Sequence, residues 1–378
     1  MRIVLPTTKA ALFGAALLSI PGFPASGTEA LPAGRPRVQP AGWAPSGRTD
    51  PDLKRPLAWL IAAQNPDGSW GEEARSQNPD VATTAVAGIA LLRMGHMGSR
   101  GEFQASTRRA VEYVVSAVER APAEQVAVQA PGTLPQRKLG RNIDTYVAAQ
   151  FLAEALPTLP REQRGRAEAA LADCVRRIER AQAADGSFAK DGWAPLLSSA
   201  FAASALHAAA TAGAPVDAKK LARADANLMD KYDDETKSFD NRESAGVDLY
   251  SAAASVIAAA RVQHAKPGSE EADGKMQRKA QAVAEGARTR LSDEQTLRGF
   301  GTYGGEEHIS YMMAAEAKAA VGGAEFETWS KQMRLRLARI QRQDGTWRGD
   351  HCITSTTFCT AASLITLAIR PPSSGRAS

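Results

Sequence analysis

Apolar residues recur at spacings of three and four along much of the chain, as they do on one face of a surface helix. Each of these amphipathic stretches is followed by a second stretch that is rich in alanine and apolar on every side. A helix without a polar face is buried all round. The pattern therefore predicts outer, amphipathic helices that alternate with enclosed inner helices. The outer stripes are Leu53, Leu57, Leu60 and Ile61; Val111, Val114, Val115 and Val118; Leu171, Cys174 and Ile178; and Trp329, Met333, Leu337 and Ile340.

A seven-residue turn with the pattern Gln-x-x-Asp-Gly-[Ser/Thr]-[Trp/Phe] follows three of the outer stripes. It occurs at residues 64–70, 182–188 and 341–347. From average residue usage such a pattern arises about once per million positions, so three copies identify one repeated unit. The glycine supplies a positive φ that ends the outer helix, the glutamine can bond freed carbonyls, and the aromatic ring covers the joint. We therefore expect these residues to be structural.

Weaker copies of the turn lie between the three clear ones. In the fourth unit residues 233–240 replace the turn, and in the fifth Gly299, Phe300 and Gly301 take its place. Inner helices are then expected to begin near residues 80, 144, 195, 248, 308 and 352. About six helical hairpins are enough to close a ring. The predicted fold is all-α, an α/α toroid of about six helix-hairpin repeats, also described as an α6/α6 barrel.

This turn, followed by threonine- and alanine-rich helices such as the one that starts at residues 80–85, resembles the prenyltransferase and squalene oxidase repeat. That superfamily includes terpenoid cyclases and the β-subunits of protein prenyltransferases, and the resemblance implies their toroid. It covers residues 52–370, which we take as the repeat domain. The stretches 304–311 and 349–362 are similar to exported bacterial members that have no assigned activity.

The two ends of the chain differ from the repeats. A basic start, an apolar run over residues 10–23 and small residues after it predict a signal peptide over residues 1–27. Residues 28–51 are rich in Pro, Gly and Arg without apolar periodicity, which is typical of a disordered linker. Residues 371–378 are expected to be a disordered tail. We therefore expect an exported protein, periplasmic or secreted, without a transmembrane segment after signal cleavage.

Charge and cysteine content argue against a nucleic-acid-binding protein and against a disulfide-stabilised scaffold. The formal net charge is +5, but Lys and Arg are scattered among nearly as many acids. This distribution indicates a solvated surface and no nucleic-acid partner. Three cysteines are too few for a disulfide scaffold, and an odd number leaves at least one thiol unpaired.

The acids that terpenoid cyclases need are incomplete in this chain. A class II cyclase protonates an alkene with Asp-x-Asp-Asp, whereas the inner helix that starts at Asp80 has one carboxylate there. A class I site needs Asp-Asp-x-x-Asp to hold magnesium, and the segment 233–237 lacks the last acid. Aromatic residues, whose faces stabilise carbocations, make up only 6% of the chain. We therefore do not expect cyclase activity.

The sequence evidence for a zinc site is stronger than that for a cyclase site. In the protein prenyltransferases that the chain resembles, Asp, Cys and His hold one zinc ion, which lowers the pKa of an acceptor thiol. Asp350 and Cys352 match the first half of that motif, His351 lies between them, and His308 opens the adjacent inner helix. These four residues are the candidate metal ligands. The alternative is that Cys352 is a small buried apolar residue and that His351 only bonds a helix start.

Two hypotheses about function remain. We expect a non-catalytic binding or scaffold module, without a cofactor, that uses the central cavity or its rim for an unknown apolar, peptide or glycan ligand. The alternative is an enzyme, a zinc-dependent transferase or another lyase or transferase, with its site around His308, His351 and Cys352. Inner-helix N-termini converge on one mouth of the ring, so candidate site residues lie there. They are Asp80, Asp144, Tyr146, Asp248, Tyr250, His308, Tyr311 and His351.

Overall fold

The computed structural model describes residues 50–188, 191–264 and 270–370. Its helices are, in chain order, α1 (Lys54–Ala63), α2 (Val81–Arg93), α3 (Gln104–Arg120), α4 (Leu134–Leu139), α5 (Ile143–Ala155), α6 (Arg161–Ala181), α7 (Pro195–Thr211), α8 (Ala218–Met229), α9 (Asp248–His264), α10 (Glu270–Arg290), α11 (Glu294–Leu297), α12 (Gly305–Val321), α13 (Gly323–Ile340) and α14 (Thr356–Ala368). A 3-10 turn, Leu156–Thr158, and a hairpin of β1 (Tyr232–Asp233) and β2 (Ser238–Phe239) accompany them. The predicted signal peptide, the linker up to residue 49 and the predicted tail lie outside the described residues. None of the described helices is long and apolar enough to cross a bilayer.

Six helices form a closed inner ring. α2 packs against α5, α5 against α7, α7 against α9, α9 against α12 and α12 against α14, which returns to α2. An outer helix precedes each of them: α1, α3, α6, α8, α10 and α13. The predicted all-α toroid of six helical hairpins is therefore confirmed by the helix contacts themselves.

Small side chains explain why the inner helices are enclosed. In α7 every residue from Leu196 to Leu206 is buried, and alanine and serine supply most of them. Such residues let neighbouring helices approach on all sides and leave few gaps. The inner helices begin at residues 81, 143, 195, 248, 305 and 356, within four residues of the predicted starts.

The three clear turns have the same internal structure, and their predicted structural role is confirmed. In the first, Asp67 accepts hydrogen bonds from the Ser69 amide at 3.0 Å and from its hydroxyl at 2.6 Å. Gly68 has a φ of +91°. The Gln64 amide donates to the Gly68 carbonyl at 3.0 Å, and the Trp70 indole donates to a carbonyl of α1 at 2.8 Å. The aspartate and glutamine bonds repeat in the other two turns.

The same turns also connect each repeat to the next one around the ring. In each turn the glutamine amide donates a second hydrogen bond to a backbone carbonyl at or near the start of the next outer helix. The pairs are Gln64 with Ser106, Gln182 with Lys220, and Gln341 with Asp52, at 3.0, 2.8 and 2.7 Å. The last pair joins the sixth unit to the first. Closure of the ring therefore uses the same interaction as its internal joints.

The fifth unit builds its joint differently from the prediction. Phe300 was the aromatic residue expected to cover this joint, yet it is 56% exposed. Trp329, on α13, is buried instead and donates its indole N–H to the Leu291 carbonyl at the end of α10, at 3.2 Å. The expectation for Phe300 is wrong because a larger aromatic residue from the following helix occupies the joint. Phe300 lies instead at the mouth of the ring.

A charged cluster lies inside the ring where the inner helices end. Arg93 of α2 donates to Glu154 of α5 at 2.7 Å and to Glu316 of α12 at 2.5 Å. Burial opposes the charge of Arg93, but the charges of Glu316 and Glu154 outweigh it and raise the pKa of the guanidinium. In ring order α14 separates α2 from α12, so the Arg93 side chain reaches across the interior. The cluster thus links three inner helices.

Candidate functional site

The N-terminal ends of the inner helices and the loops before them form one mouth of the ring. Neighbouring units contact each other there through their backbones. The Thr357 amide donates to the Glu72 carbonyl at 3.2 Å, and the Trp193 amide donates to the Lys138 carbonyl at 2.8 Å. The residues predicted for the site belong to these helix starts, but they have different partners.

Three predicted aspartates at helix starts have separate partners. Asp80 is the N-cap of α2 and accepts from a backbone amide of its first turn at 2.7 Å. Asp144 accepts from the Gln129 amide at 2.8 Å, and Asp248 forms an ion pair with Arg290 at 3.3 Å. Burial raises the pKa of Asp80 to about 6 and that of Asp144 to about 7. These contacts stabilise the starts of α2, α5 and α9.

The buried Asp144 predicts a pH dependence of stability. Its folded-state pKa of about 7 lies above the unfolded value of about 3.9. The folded protein therefore binds more protons between these values, so the contribution of Asp144 is present at low pH and lost as pH rises towards 7. We expect Asp144→Asn to flatten the profile by up to about 1.4 kcal/mol per pH unit in that window. Urea unfolding at pH 5, 6, 7 and 8 measures it, and parallel profiles for both proteins would contradict the expectation.

His308 and Tyr311 are enclosed and contact other elements. His308 Nδ1 lies 2.9 Å from Ser363 Oγ on α14, and the Tyr311 hydroxyl donates to the Leu297 carbonyl at 2.5 Å. Burial lowers the pKa of His308 to about 3. His308 is therefore neutral, with one ring nitrogen already bonded to a neighbouring inner helix.

Three side chains that can ligate a metal ion meet between α12 and the loop before α14. They are Glu306, in the first turn of α12, and His351 and Cys352, in the loop. One potential ligand atom from each lies within 4.8 Å of the other two. In a tetrahedral zinc site with bonds of about 2.0–2.3 Å, the ligand atoms are about 3.3–3.8 Å apart. A contraction of about 1 Å would bring these three groups to that spacing.

Two of the three groups carry a buried atom without a hydrogen-bond partner. These atoms are Glu306 Oε1 and His351 Nδ1. Glu306 is fully buried, and its other oxygen accepts from the Ile353 amide at 3.3 Å. Leaving a buried polar atom unpaired costs about 1–3 kcal/mol. A cation between the two groups would remove that cost.

The third group, Cys352, has an unusual backbone conformation and a disfavoured thiolate. Its φ of +50° lies in the left-handed region, which is uncommon for residues other than glycine. Burial, followed by the charge of Glu306, raises the pKa of its thiol to about 11. Burial also raises the pKa of Glu306 to about 7. A bound cation would offset both effects, because it stabilises the charged form of each ligand.

Glu307 lies on the other side of His351 and connects it to Tyr250. Its carboxylate accepts from the Tyr250 hydroxyl at 2.5 Å and from the Phe300 and Gly304 amides at 3.0 and 2.7 Å. The same carboxylate lies 3.4 Å from His351 Nε2. Of the residues predicted from the sequence, the structure thus brings Tyr250, His351 and Cys352 into one connected cluster.

An aromatic surface borders this cluster. The Phe300 ring centroid lies 5.5 Å from that of Trp193 and 5.5 Å from that of His351. Trp193 in turn lies 6.5 Å from the Tyr250 ring. Because Phe300 is 56% exposed, it presents an apolar face to solvent directly beside His351. Such a surface suits an apolar or ring-containing ligand.

The structure changes the set of metal ligands that the sequence suggests. His351 and Cys352 belong to the group, whereas Asp350 and His308 lie outside it. Asp350 is exposed and its backbone amide donates to the Tyr303 carbonyl, while His308 is directed to α14. Glu306 supplies the carboxylate, because the first turn of α12 faces the loop that carries His351.

Glu306 and Glu307 belong to this cluster but were not predicted from the sequence. Acidic residues are common in the first turn of any helix, where they interact with free backbone amides, so acids at 306–307 do not by themselves indicate a site. A usable signal was available, because they are adjacent acids at the start of a helix whose remaining residues are mostly apolar. Two carboxylates on an enclosed helix require buried partners.

No protein-family model and no curated protein matches the chain. Among solved structures it is similar to the type II terpene cyclase MstE from Scytonema in its apo form. The identity is 15% over 83% of this chain and 96% of the cyclase, with a TM-score of 0.48. A tyrosine-to-phenylalanine variant of MstE, also apo, gives 13% identity over 83% and 94%, with a TM-score of 0.49. At these values the similarity carries no argument about activity.

Proposed function

We propose that the protein is a metal-dependent enzyme with a zinc site formed by Glu306, His351 and Cys352. The observation that carries this proposal is the convergence of the three ligand groups within 4.8 Å, two of them with a buried atom that has no partner. Carboxylate, imidazole and thiolate are all zinc ligands in proteins. The thiolate favours zinc over magnesium and calcium, which prefer oxygen ligands.

The number of ligands favours a catalytic site over a structural one. Structural zinc usually has four protein ligands, whereas catalytic zinc has three and one open position. When bound, zinc would polarise a substrate oxygen or activate a water or thiol at that position. Phe300 and Trp193 would contact an apolar part of the substrate. We therefore propose a transferase or lyase reaction on a ligand with an apolar portion.

A non-catalytic binding or scaffold role, which the sequence favoured, is the second candidate. The exposed Phe300 ring next to Trp193 supports it, because this aromatic surface can bind an apolar, peptide or glycan ligand without a metal. Both candidate functions use the same mouth of the ring, but only the enzyme requires a bound metal ion.

We also propose that the protein acts outside the cytoplasm. The support is the sequence of residues 1–27, with its basic start and apolar run. Intact-mass measurement of the protein isolated from its own cells tests this proposal. A chain that begins at residue 28 is the expected result, and a full-length cytoplasmic chain would contradict it.

Elemental analysis of the purified protein tests the metal site. We expect about one zinc ion per chain. Cys352→Ser and Glu306→Gln should each keep less than about a tenth of it after dialysis, because each removes one of only three ligands. Asp350→Asn is the matched control, since it alters the carboxylate suggested by the sequence motif and should retain zinc.

Two other outcomes of these zinc measurements would contradict the proposal. Loss of zinc in Asp350→Asn together with retention in Glu306→Gln would contradict the ligand set. If the wild-type protein contains no zinc and takes up none, the enzyme proposal fails. Native mass spectrometry would then look for an apolar ligand, and Phe300→Ala should weaken its binding.

A further inference from the structure

The two ring nitrogens of His351 have different surroundings. Nε2 lies 3.1 Å from the Thr302 carbonyl and 3.4 Å from Glu307 Oε2, and both of these atoms are acceptors. The ring proton therefore belongs on Nε2. Nδ1 then carries the lone pair, and it is buried without a partner. This is the nitrogen available for a metal ion.

Glu307 is itself fixed in place from three directions. Its two oxygens accept from the Tyr250 hydroxyl at 2.5 Å, the Phe300 amide at 3.0 Å and the Gly304 amide at 2.7 Å. Glu307 and Tyr250 are both fully buried. Because Tyr250 belongs to α9, the carboxylate is held between two neighbouring inner helices.

The backbone at Gly304 lies directly against His351. Gly304 and His351 form a parallel bridge. A Cβ at position 304 would lie 2.8 Å from His351 Cε1 and 2.9 Å from the His351 carbonyl oxygen. Such contacts are too short, so glycine at 304 permits the observed ring position. The imidazole is thus enclosed by Gly304 on one side and by Glu307 on another.

We propose that Glu307, anchored by Tyr250, is the positioning residue that keeps the proton of His351 on Nε2 and directs Nδ1 to the metal ion. The inference rests on the zinc site proposed above and extends it by a second layer of residues. Histidine ligands of metal ions commonly donate their other N–H to a carboxylate, which fixes the tautomer and the orientation of the ring. Replacement of such a carboxylate costs about 10- to 100-fold in metal affinity.

A pair of tyrosine variants tests the proposal. Tyr250→Phe removes the hydroxyl that anchors Glu307, whereas Tyr311→Phe removes an equally buried hydroxyl that donates to the Leu297 carbonyl instead. We expect Tyr250→Phe to weaken zinc binding by about 3- to 10-fold, less than direct loss of the carboxylate, and Tyr311→Phe to leave it unchanged. Glu307→Gln should weaken zinc binding by about 10- to 100-fold.

Zinc affinity is measured by competition with a chromophoric chelator, and cobalt(II) is used as a spectroscopic probe of the ligand field. A changed cobalt spectrum in Tyr250→Phe, together with an unchanged thermal midpoint of the metal-free protein, would separate positioning from a loss of fold. If wild-type protein binds zinc and Tyr250→Phe binds it equally well, this proposal is overturned and the zinc site stands. Equal weakening in both tyrosine variants also overturns it. If wild-type protein binds neither metal, the proposed function and this inference fail together.

Discussion

Replacing Trp347 with alanine is expected to lower the free energy of unfolding by about 3–5 kcal/mol. The indole is fully buried in the joint of the sixth unit, and its N–H donates to the Leu337 carbonyl at 2.9 Å. Its backbone amide donates to the Thr360 hydroxyl of α14 at 3.0 Å. Alanine would leave a large cavity and an unbonded carbonyl where α13 meets α14. Urea unfolding monitored by far-ultraviolet circular dichroism measures the change.

Two further variants separate the causes of this loss. Trp347→Phe keeps most of the ring but removes the indole N–H, so it should lose about 1–3 kcal/mol. Phe300→Ala removes an aromatic side chain that is 56% exposed, and we expect a change within about 0.5 kcal/mol. A loss in Trp347→Ala no larger than that in Phe300→Ala would contradict the role of the joint.

Arg93→Ala is the second variant with a large expected effect, a loss of about 3–5 kcal/mol. Arg93 pairs with Glu154 at 2.7 Å and with Glu316 at 2.5 Å, and all three side chains are about four-fifths buried. Without the guanidinium, two carboxylates remain inside the ring without their cation, near helix C-termini that already carry partial negative charge. Chemical denaturation gives the free-energy change.

A surface arginine with two partners is the matched control. Arg166 pairs with Glu112 at 2.6 Å and with Glu119 at 2.7 Å, but these side chains are nearly half exposed. Exposed pairs contribute about 0–1 kcal/mol, so Arg166→Ala should have a small effect. Combining Arg93→Met with Glu154→Gln and Glu316→Gln should recover much of the loss, because no unpaired charge remains. Failure of that triple variant to recover stability would refute the electrostatic explanation.

The repeat architecture was accessible from the sequence because its determinants are local. Asp67, Gly68 and Trp70 form the turn within a stretch of seven residues. Its three copies are recognisable in the sequence because their spacing is identical. The alternation of amphipathic and enclosed helices likewise depends on neighbours three and four residues apart. These features predicted the toroid and the starts of all six inner helices.

Only part of the candidate site could be predicted from the sequence. His351 and Cys352 were candidates because they match or adjoin the zinc motif that the resemblance implies, and Tyr250 was a candidate because it lies at a predicted inner-helix start. Glu306 and Glu307 were not, because an acid in a first turn has an ordinary capping explanation. Asp350 matched a motif, yet it is exposed and outside the ligand group.

The sequence by itself therefore determined the all-α repeat, the structural role of its turns and the region of the chain that contains the candidate site. The tertiary structure decided which side chains meet there and how the ring closes. Glu306 contacts the loop of His351 across 47 residues of chain, and Gln341 reaches Asp52 across 289. Spacing along a helix carries no information about such contacts, since they depend on how successive hairpins pack and turn around the ring.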